Sequence, residues 1–188
     1  MARLILVRHA EPHEDARGRC YGSLDVGLSQ RGEEQAAALR LSGFDAVYTS
    51  PRLRAVATAR ALVANPIVED DLRELDFGDF EGRTFEEIER TESELFRLWM
   101  ETPTRVRFPN GESYADLKAR AVRVLDEIRA RHACAVVVTH GGVIRAGLAS
   151  WLAMPDETIF RLDQRYCGIT IVDWIDEVPI VRLLNGEA

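Results

Sequence analysis

Short runs of apolar residues alternate with longer amphipathic segments along the chain. Residues 4–7 and 135–139 are almost wholly apolar, which is typical of strands covered on both faces of a parallel sheet. Shorter or weaker apolar runs predict four further strands, at residues 46–49, 67–68, 169–172 and 179–184.

The amphipathic segments predict helices, and the first two begin with a capping signal. Ser29 is a favoured N-cap residue, and the Ala-rich helix after it is expected to end near Leu41. Ser50-Pro51 predicts a second helix that runs from Pro51 to about Ala64, because serine caps helices and proline is tolerated at the first helical position.

Later segments repeat this alternation. Residues 84–87 read Thr-x-x-Glu and residues 113–116 read Ser-x-x-Asp, and both patterns indicate a helix that starts with a capping box. A last helix, from about residue 143 to 154, follows the strand at 135–139. Strands that alternate with helices predict an α/β fold, namely a three-layer α/β/α sandwich with a mostly parallel sheet.

The length of 188 residues predicts one domain over residues 1–188. Within it, we interpret residues 69–110 as a helical insertion that lies over the carboxyl ends of the strands. The segment 69–101 holds thirteen carboxylates against four arginines, and we expect this acidic stretch to form a solvated face.

Composition narrows the class of protein further. The chain is 46% apolar and 29% charged, as in ordinary globular proteins, and its net charge of −7 argues against a nucleic-acid polymer as partner. Three cysteines without a C-x-x-C pair predict reduced thiols, and no apolar run approaches the roughly 20 residues of a membrane helix. The apolar run at 4–7 is too short for a signal peptide. We therefore expect a soluble, cytoplasmic protein with no membrane partner, and a homodimer is left open.

Two of the predicted strands end in a turn that contains a histidine, His9 in one and His140 in the other. A third strand ends at Ser50, and the helix after it carries Arg52 and Arg54. The carboxyl ends of parallel strands share one edge of a sheet, so imidazoles and guanidiniums are expected to converge there on an anion, specifically phosphate. A neutral imidazole can also accept a phosphoryl group covalently, and a carboxylic acid would then protonate the leaving alkoxide.

Other histidines suggest alternatives that the sequence does not favour. His9 and His13 have the i, i+4 spacing of a helical metal site, but Pro12 between them argues against a helix. We expect His132 to be a surface residue at a helix end. The three tryptophans are expected to pack in or around the core: Trp99, Trp151 and Trp174.

The chain resembles the histidine phosphatase superfamily, the group that includes the cofactor-dependent phosphoglycerate mutases. Leu-Val-Arg-His-Ala-Glu at 6–11 is similar to the N-terminal Arg-His-Gly-Glu signature of that family. Ala10 stands where the signature usually has glycine, and an alanine fits there readily if its φ is negative. Five further motifs follow in the family's order, at residues 28–36, 49–59, 72–82, 109–120 and 138–142.

The resemblance assigns roles to particular residues. It implies that His9 is the nucleophile and that Glu74 is the proton donor, and later the base for water. It also implies that Arg54, and not Arg52, belongs to the phosphate pocket. The resemblance further implies that the acidic insertion at 69–110 is part of a lid over the site. No metal and no cofactor are implied. The remaining residues would bind the phosphoryl group: Arg8, Arg54, His140 and Gly141.

The loop at residues 18–29 resembles the α-ribazole phosphatase branch of the superfamily, in which Tyr21 and Gly22 would border the substrate. The expected enzyme is a histidine acid phosphatase-type phosphomonoesterase that acts on a small phosphorylated metabolite. α-Ribazole 5′-phosphate, an intermediate of cobalamin biosynthesis, is one candidate. A phosphoglycerate mutase is a weaker alternative, because mutases of this family generally have a longer insertion and a C-terminal tail. A non-catalytic phosphate-binding module is disfavoured, because every residue of the catalytic set is present.

Overall fold

The computed structural model describes residues 2–187, which form one six-stranded sheet in the order β3-β2-β4-β1-β5-β6. Strands β1 to β4 are parallel to one another, and β5 pairs antiparallel with both β1 and β6. The prediction of a mostly parallel sheet is confirmed. The strands are β1 (Ala2–Arg8), β2 (Ala46–Thr49), β3 (Ile67–Val68), β4 (Cys134–Thr139), β5 (Ile169–Ile175) and β6 (Val178–Gly186).

Helices cover both faces of this sheet. They are α1 (Gln30–Ala38), α2 (Leu53–Arg60), α3 (Phe85–Thr91), α4 (Ser93–Glu101), α5 (Tyr114–Arg131) and α6 (Gly141–Trp151). Successive side chains of β1 point to opposite faces, so Leu4 and Leu6 pack with α5 and α6, whereas Ile5 and Val7 pack with α2. This alternation explains why the strand is apolar throughout, and it produces the predicted three layers.

Most of the predicted helix starts are confirmed, with one error. The Ser29 side chain accepts a hydrogen bond from Gly32 N, and the capping boxes at residues 84–87 and 113–116 both form. The prediction for Ser50 was wrong, because α2 begins at Leu53 and ends at Arg60. The Ser50 hydroxyl accepts from Arg52 N in the preceding turn and is also hydrogen-bonded to His140. The residue therefore belongs to the strand end.

The insertion at 69–110 contains α3, α4 and two 3₁₀ turns, Asp70–Leu72 and Gly78–Phe80. It lies over the carboxyl end of the sheet, where Thr139 Oγ1 at the end of β4 donates to the carbonyl of Leu72. The prediction of a solvated acidic face holds for the carboxylates of α3 and α4, which are exposed, but it was wrong for much of residues 69–81, where Asp71, Glu74 and Glu81 are half-buried and accept hydrogen bonds. Its apolar side chains form a separate cluster that includes Phe80, Ile88, Trp99, Val106 and Phe108.

The two other tryptophans pack against each other as an edge-to-face pair, with the ring centroids of Trp151 and Trp174 4.9 Å apart. Within residues 2–187, none of the helices has the length and apolar character needed to cross a membrane.

Candidate active site

The hydrogen bonds between the central strands bring three strand ends together. Strand β4 lies between β1 and β2. On each side, the first residue after the neighbouring strand still donates a backbone hydrogen bond to a carbonyl of β4. His9 N donates to the carbonyl of Thr139 at 2.9 Å, and Ser50 N donates to the carbonyl of Val138 at 3.0 Å. As a result, the ring centroids of His9 and His140 lie 5.1 Å apart.

The His9 ring has a defined tautomer. Its Nδ1 lies 2.7 Å from the carbonyl oxygen of Ala10, and since a carbonyl only accepts, Nδ1 carries the proton. The lone pair is therefore on Nε2. The Ala10 amide donates to Thr58 Oγ1 at 2.9 Å, and the φ of Ala10 is negative, so the alanine in this signature costs no backbone strain.

Arg54 is fully buried, and its guanidinium is held by the loop at residues 18–29, which we expected to border the substrate. Its Nη1 donates to the carbonyl of Leu24, and its Nη2 donates to the carbonyls of Tyr21 and Gly22, at 2.8 to 3.0 Å. These bonds fix the plane of the guanidinium. Its buried Nε has no hydrogen-bond partner among residues 2–187.

Arg8 is fixed in a similar way at the end of β1. Its Nη1 donates to the carbonyl of Gln164 at 2.6 Å, and its Nη2 donates to the Tyr21 hydroxyl at 3.3 Å. The guanidinium carbon lies 4.2 Å from the ring centroid of Tyr166, in cation–π contact. The buried Nε of Arg8 is again without a partner in the described part of the chain.

His140 is completely buried beside this pair of arginines. Its Nε2 is hydrogen-bonded to Ser50 Oγ at 2.8 Å, whereas its Nδ1 has no partner within residues 2–187. His140 is also the N-cap residue of α6, so Gly141 opens that helix. The positive end of the helix dipole therefore points into the same region.

Glu74 is clamped between the insertion and the start of α6. Its Oε1 accepts from Leu75 N at 2.9 Å and its Oε2 accepts from Gly142 N at 3.0 Å. A Cβ atom at Gly142 would lie 2.2 Å from Oε1, so a glycine is required for this approach. The Glu74 carbonyl also accepts from the guanidinium of Arg120, which in turn pairs with Glu112 at 2.7 Å.

Gly22 is required for a comparable reason. A Cβ atom there would lie 1.7 Å from the carbonyl oxygen of Leu75, where the loop at 18–29 passes against the insertion. Glu81 joins the same two segments, because its carboxylate accepts from the backbone amides of Ser23 and Leu24.

A cavity of about 350 Å³ opens beside these groups. His9, Tyr21 and Glu74 are among the residues that line it, together with Gly142 and Arg145. Five further aromatic side chains contribute to the wall, namely Phe77, Phe85, Trp99, Tyr114 and Phe160. Of the predicted site residues, three line this pocket, namely His9, Tyr21 and Glu74. The other five contact or adjoin residues of this group, namely Arg8, Gly22, Arg54, His140 and Gly141.

A family model for the histidine phosphatase superfamily (branch 1) matches residues 4–187. The chain belongs to this superfamily. The resemblance carried by the six motifs is confirmed, and the fold expected from it agrees with solved structures of the superfamily.

Several relatives of this superfamily member are named as phosphatases. It is 40% identical to phosphoserine phosphatase 1 of Hydrogenobacter thermophilus, over 98% of this chain and 92% of that protein. A crystal structure of the alpha-ribazole phosphatase from Shigella flexneri superposes with a TM-score of 0.89 at 26% identity, covering 99% of this chain and 97% of that one. A phosphoserine phosphatase mutant from Entamoeba histolytica, in complex with phosphoserine, gives 0.84 at 25% identity, covering 99% and 98%. The chain is a phosphatase-type enzyme of the superfamily.

Electrostatics hold both histidines of this phosphatase in the neutral form. Burial lowers the pKa of His9 well below the ordinary value of 6.5, and the charges of Arg54 and Arg8 lower it further. Burial likewise lowers the pKa of His140, with further contributions from Arg54, His9 and Arg8. A neutral imidazole keeps the lone pair that a nucleophile needs.

The two remaining histidines lie outside this cluster. The His13 ring accepts from Asp15 N as the cap of the 3₁₀ turn Glu14–Ala16, and Tyr48 OH is hydrogen-bonded to His132 Nε2 at 3.0 Å. Within residues 2–187, no group of three His, Cys, Asp or Glu side chains is arranged to hold a metal ion.

Sequence reasoning missed two polar residues near His9 and Glu74, namely Tyr166 and Arg145. The ring centroid of Tyr166 lies 5.6 Å from that of His9, and the Tyr166 hydroxyl is hydrogen-bonded to that of Tyr21 at 3.1 Å. The spacing from Gly141 to Arg145 was a usable signal for Arg145, because a helix brings residues four apart to one face. Tyr166 follows no motif in the chain, so only the folded structure reveals it.

The lowered pKa values of both site histidines can be measured by ¹⁵N NMR. In the folded protein, the ring nitrogens of His9 and His140 should keep neutral-imidazole shifts below pH 6.5, whereas the urea-unfolded chain should titrate at about pH 6.5. The unfolded state then binds more protons below that pH, so the free energy of unfolding should fall as the pH falls. Folded-state midpoints at or above 6.5 would contradict this assignment.

Proposed function

We propose that the protein hydrolyses phosphomonoesters through a phosphohistidine on His9, without a metal ion. The observation that carries the proposal is the tautomer of His9, because the ring presents a neutral Nε2 while Nδ1 is tied to the backbone. The unpaired Nε groups of Arg8 and Arg54 and the unpaired Nδ1 of His140 add polar sites that a phosphoryl group can satisfy. Buried polar atoms without partners are expected where a ligand supplies the missing bonds.

In the first step, His9 Nε2 attacks phosphorus and the bond from phosphorus to the ester oxygen breaks. Arg8 and Arg54 stabilise the negative charge on the equatorial oxygens, and His140 hydrogen-bonds to one of them. Glu74, in its protonated form, donates its proton to the leaving oxygen, so the alcohol departs neutral.

In the second step, the Glu74 carboxylate takes a proton from water while the water oxygen attacks phosphorus. The bond from phosphorus to His9 Nε2 breaks, which releases inorganic phosphate and restores the neutral imidazole. Glu74 is again protonated, so one turnover consumes one ester and one water.

The fine specificity has two named candidates. α-Ribazole 5′-phosphate is supported by the loop at 18–29 and by the Shigella flexneri structure. Phosphoserine is supported by the relative with 40% identity and by the Entamoeba histolytica complex. We would measure kcat/KM for both compounds and for sugar phosphates, phosphoglycerates and nucleotides. The compound with the highest kcat/KM identifies the preferred substrate. Isomerised phosphoglycerate as the main product, in place of free phosphate, would favour the mutase alternative.

The proposed partner is a small phosphorylated metabolite, and the proposed location is the cytoplasm. Free thiols at all three cysteines support that location. Cys20 lines the cavity, but burial raises its pKa to about 12, so a thiolate does not compete with His9 as nucleophile.

Replacement of the nucleophile tests the covalent intermediate. When the protein is mixed with a slow alkyl phosphate ester and quenched in base, acid-labile phosphate should be found on His9 by mass spectrometry. His9→Ala should abolish the label and lower kcat by about 10⁴-fold or more, because the attacking nitrogen is lost. Near-normal turnover by His9→Ala would overturn the proposal.

His13→Gln provides the matched control for this experiment, because it removes a histidine of the same N-terminal segment that lies outside the cluster. It should keep both the label and the turnover. If the unmodified protein does not hydrolyse p-nitrophenyl phosphate, the result would favour the alternative of a non-catalytic phosphate-binding module.

The role of Glu74 predicts a dependence on the leaving group. Glu74→Gln should lower kcat for alkyl phosphates by about 10²-fold or more, and should affect p-nitrophenyl phosphate much less, since nitrophenolate leaves without a proton. Gly142→Ala should show the same pattern, because the added methyl group displaces the carboxylate. Gly27→Ala is the control, since no atom lies within 4 Å of the added Cβ. Equal losses on both ester classes would assign Glu74 a structural role.

A further inference from the structure

Two polar groups of the cavity take no part in the hydrolysis described above. Arg145, on α6, and Tyr114, the first residue of α5, both line the pocket beside Glu74. Most of the other lining residues are apolar or aromatic, among them Leu117, Ile159 and Phe160, and the Arg19 guanidinium in the same lining already donates to the carbonyl of Gly82. A pocket of this kind selects ligands through its few polar groups.

The Arg145 guanidinium is only partly satisfied by the protein. Its Nε donates to the carbonyl of Leu162 at 2.9 Å, and its carbon lies 5.6 Å from the ring centroid of Phe160. Its two terminal NH₂ groups make no hydrogen bond to residues 2–187, and no described carboxylate lies within ion-pair distance of them. Two contacts thus fix the orientation of the fork, while four N–H donors remain for a ligand.

The position of this fork relative to the proton donor is set by consecutive residues of α6. A Cβ atom at Gly141 would lie 2.9 Å from Arg145 Nη1, and one at Gly142 would lie 2.2 Å from Glu74 Oε1. The guanidinium and the carboxylate therefore sit over neighbouring backbone positions, whose Cα atoms are about 3.8 Å apart. A group bound by Arg145 is thus close to the oxygen that Glu74 protonates.

The Tyr114 hydroxyl is a second unused donor in the same pocket. The residue is 5% exposed, and its oxygen has no hydrogen-bond partner within residues 2–187. Leaving a buried hydroxyl unpaired costs about 1–3 kcal/mol, which a ligand oxygen placed there would offset.

We propose that Arg145 and Tyr114 bind a carboxylate on the leaving group, so that the preferred substrates are phosphomonoesters of alcohols that carry a carboxylate near the ester oxygen. This rests on the phosphatase function proposed above. The planar fork matches the two oxygens of a carboxylate, and one unpaired guanidinium balances a single negative charge better than the two charges of a second phosphate. The transferring phosphoryl group already has Arg8, Arg54 and His140 as partners.

Substrate pairs that differ in the carboxylate alone test this subsite. O-Phosphoserine is compared with O-phosphoethanolamine, and 3-phosphoglycerate is compared with glycerol 3-phosphate. The unmodified enzyme should prefer the carboxylate-bearing member of at least one pair. Arg145→Gln should lower kcat/KM for that member by about 10- to 100-fold, the range expected for loss of a hydrogen bond between charged groups. It should change kcat/KM for the substrate without a carboxylate by less than about threefold. Tyr114→Phe, which keeps the ring packing, should lower kcat/KM for the carboxylate-bearing member by about five- to tenfold.

Arg161→Gln is the matched control, because Arg161 is an exposed arginine of the neighbouring segment that does not line the cavity. It should leave every rate within about twofold of the unmodified enzyme. Arg145→Lys keeps the charge but not the fork, and should recover part of the loss.

Three results would overturn the subsite. Equal losses on both members of a pair would show that Arg145 binds the transferring phosphoryl group. Unchanged rates in both Arg145→Gln and Tyr114→Phe would remove these residues from recognition. Preference of the unmodified enzyme for the members without a carboxylate would refute the substrate class. In each case, His9-dependent turnover of p-nitrophenyl phosphate would leave the phosphatase function intact, whereas loss of that turnover in the unmodified enzyme would overturn both proposals.

Discussion

The pairing of β4 with β1 on one side and β2 on the other is the constraint on which the rest of the site depends. His9 N donates to the carbonyl of Thr139, and Ser50 N donates to the carbonyl of Val138. These backbone hydrogen bonds fix the positions of the three strand ends relative to one another. A one-residue slip would move each side chain to the opposite face of the sheet. The two imidazoles meet because the ladder is in register, and no direct bond between them is needed.

The site also requires that its arginine side chains are held in position before a phosphate group binds. Arg54 is fully buried with no carboxylate partner among residues 2–187, and three backbone carbonyls of the loop at 18–29 accept its N–H groups. Neutral carbonyls orient the guanidinium without cancelling its charge, so its field remains available to a phosphoryl group. Burial is the main reason that the pKa of His9 is low, and the same field lowers this pKa further, so the cations that would bind phosphate also help to keep the His9 imidazole neutral.

The local parts of this arrangement could be predicted from the sequence, and the long-range parts could not. The strands at 4–7 and 135–139 and the caps at Ser29 and 113–116 follow from periodicity and from hydrogen bonds between near neighbours. Ser50 illustrates the limit, because its hydroxyl is committed to a histidine 90 residues away rather than to the helix it was expected to cap. Tyr166 reaches the site only through the packing of the segment before β5, which no local pattern specifies, whereas Arg145 could have been found from its helical spacing to Gly141.

The central claim is that two successive displacements occur at phosphorus, the first by His9 and the second by water. The stereochemical course of the reaction measures this most directly. A phosphorothioate ester made chiral with two oxygen isotopes can be hydrolysed in water enriched in the third, and the configuration of the released thiophosphate determined. Each in-line displacement inverts phosphorus, so the double displacement predicts overall retention. Inversion would show that water attacks the ester in a single step, and would contradict the account.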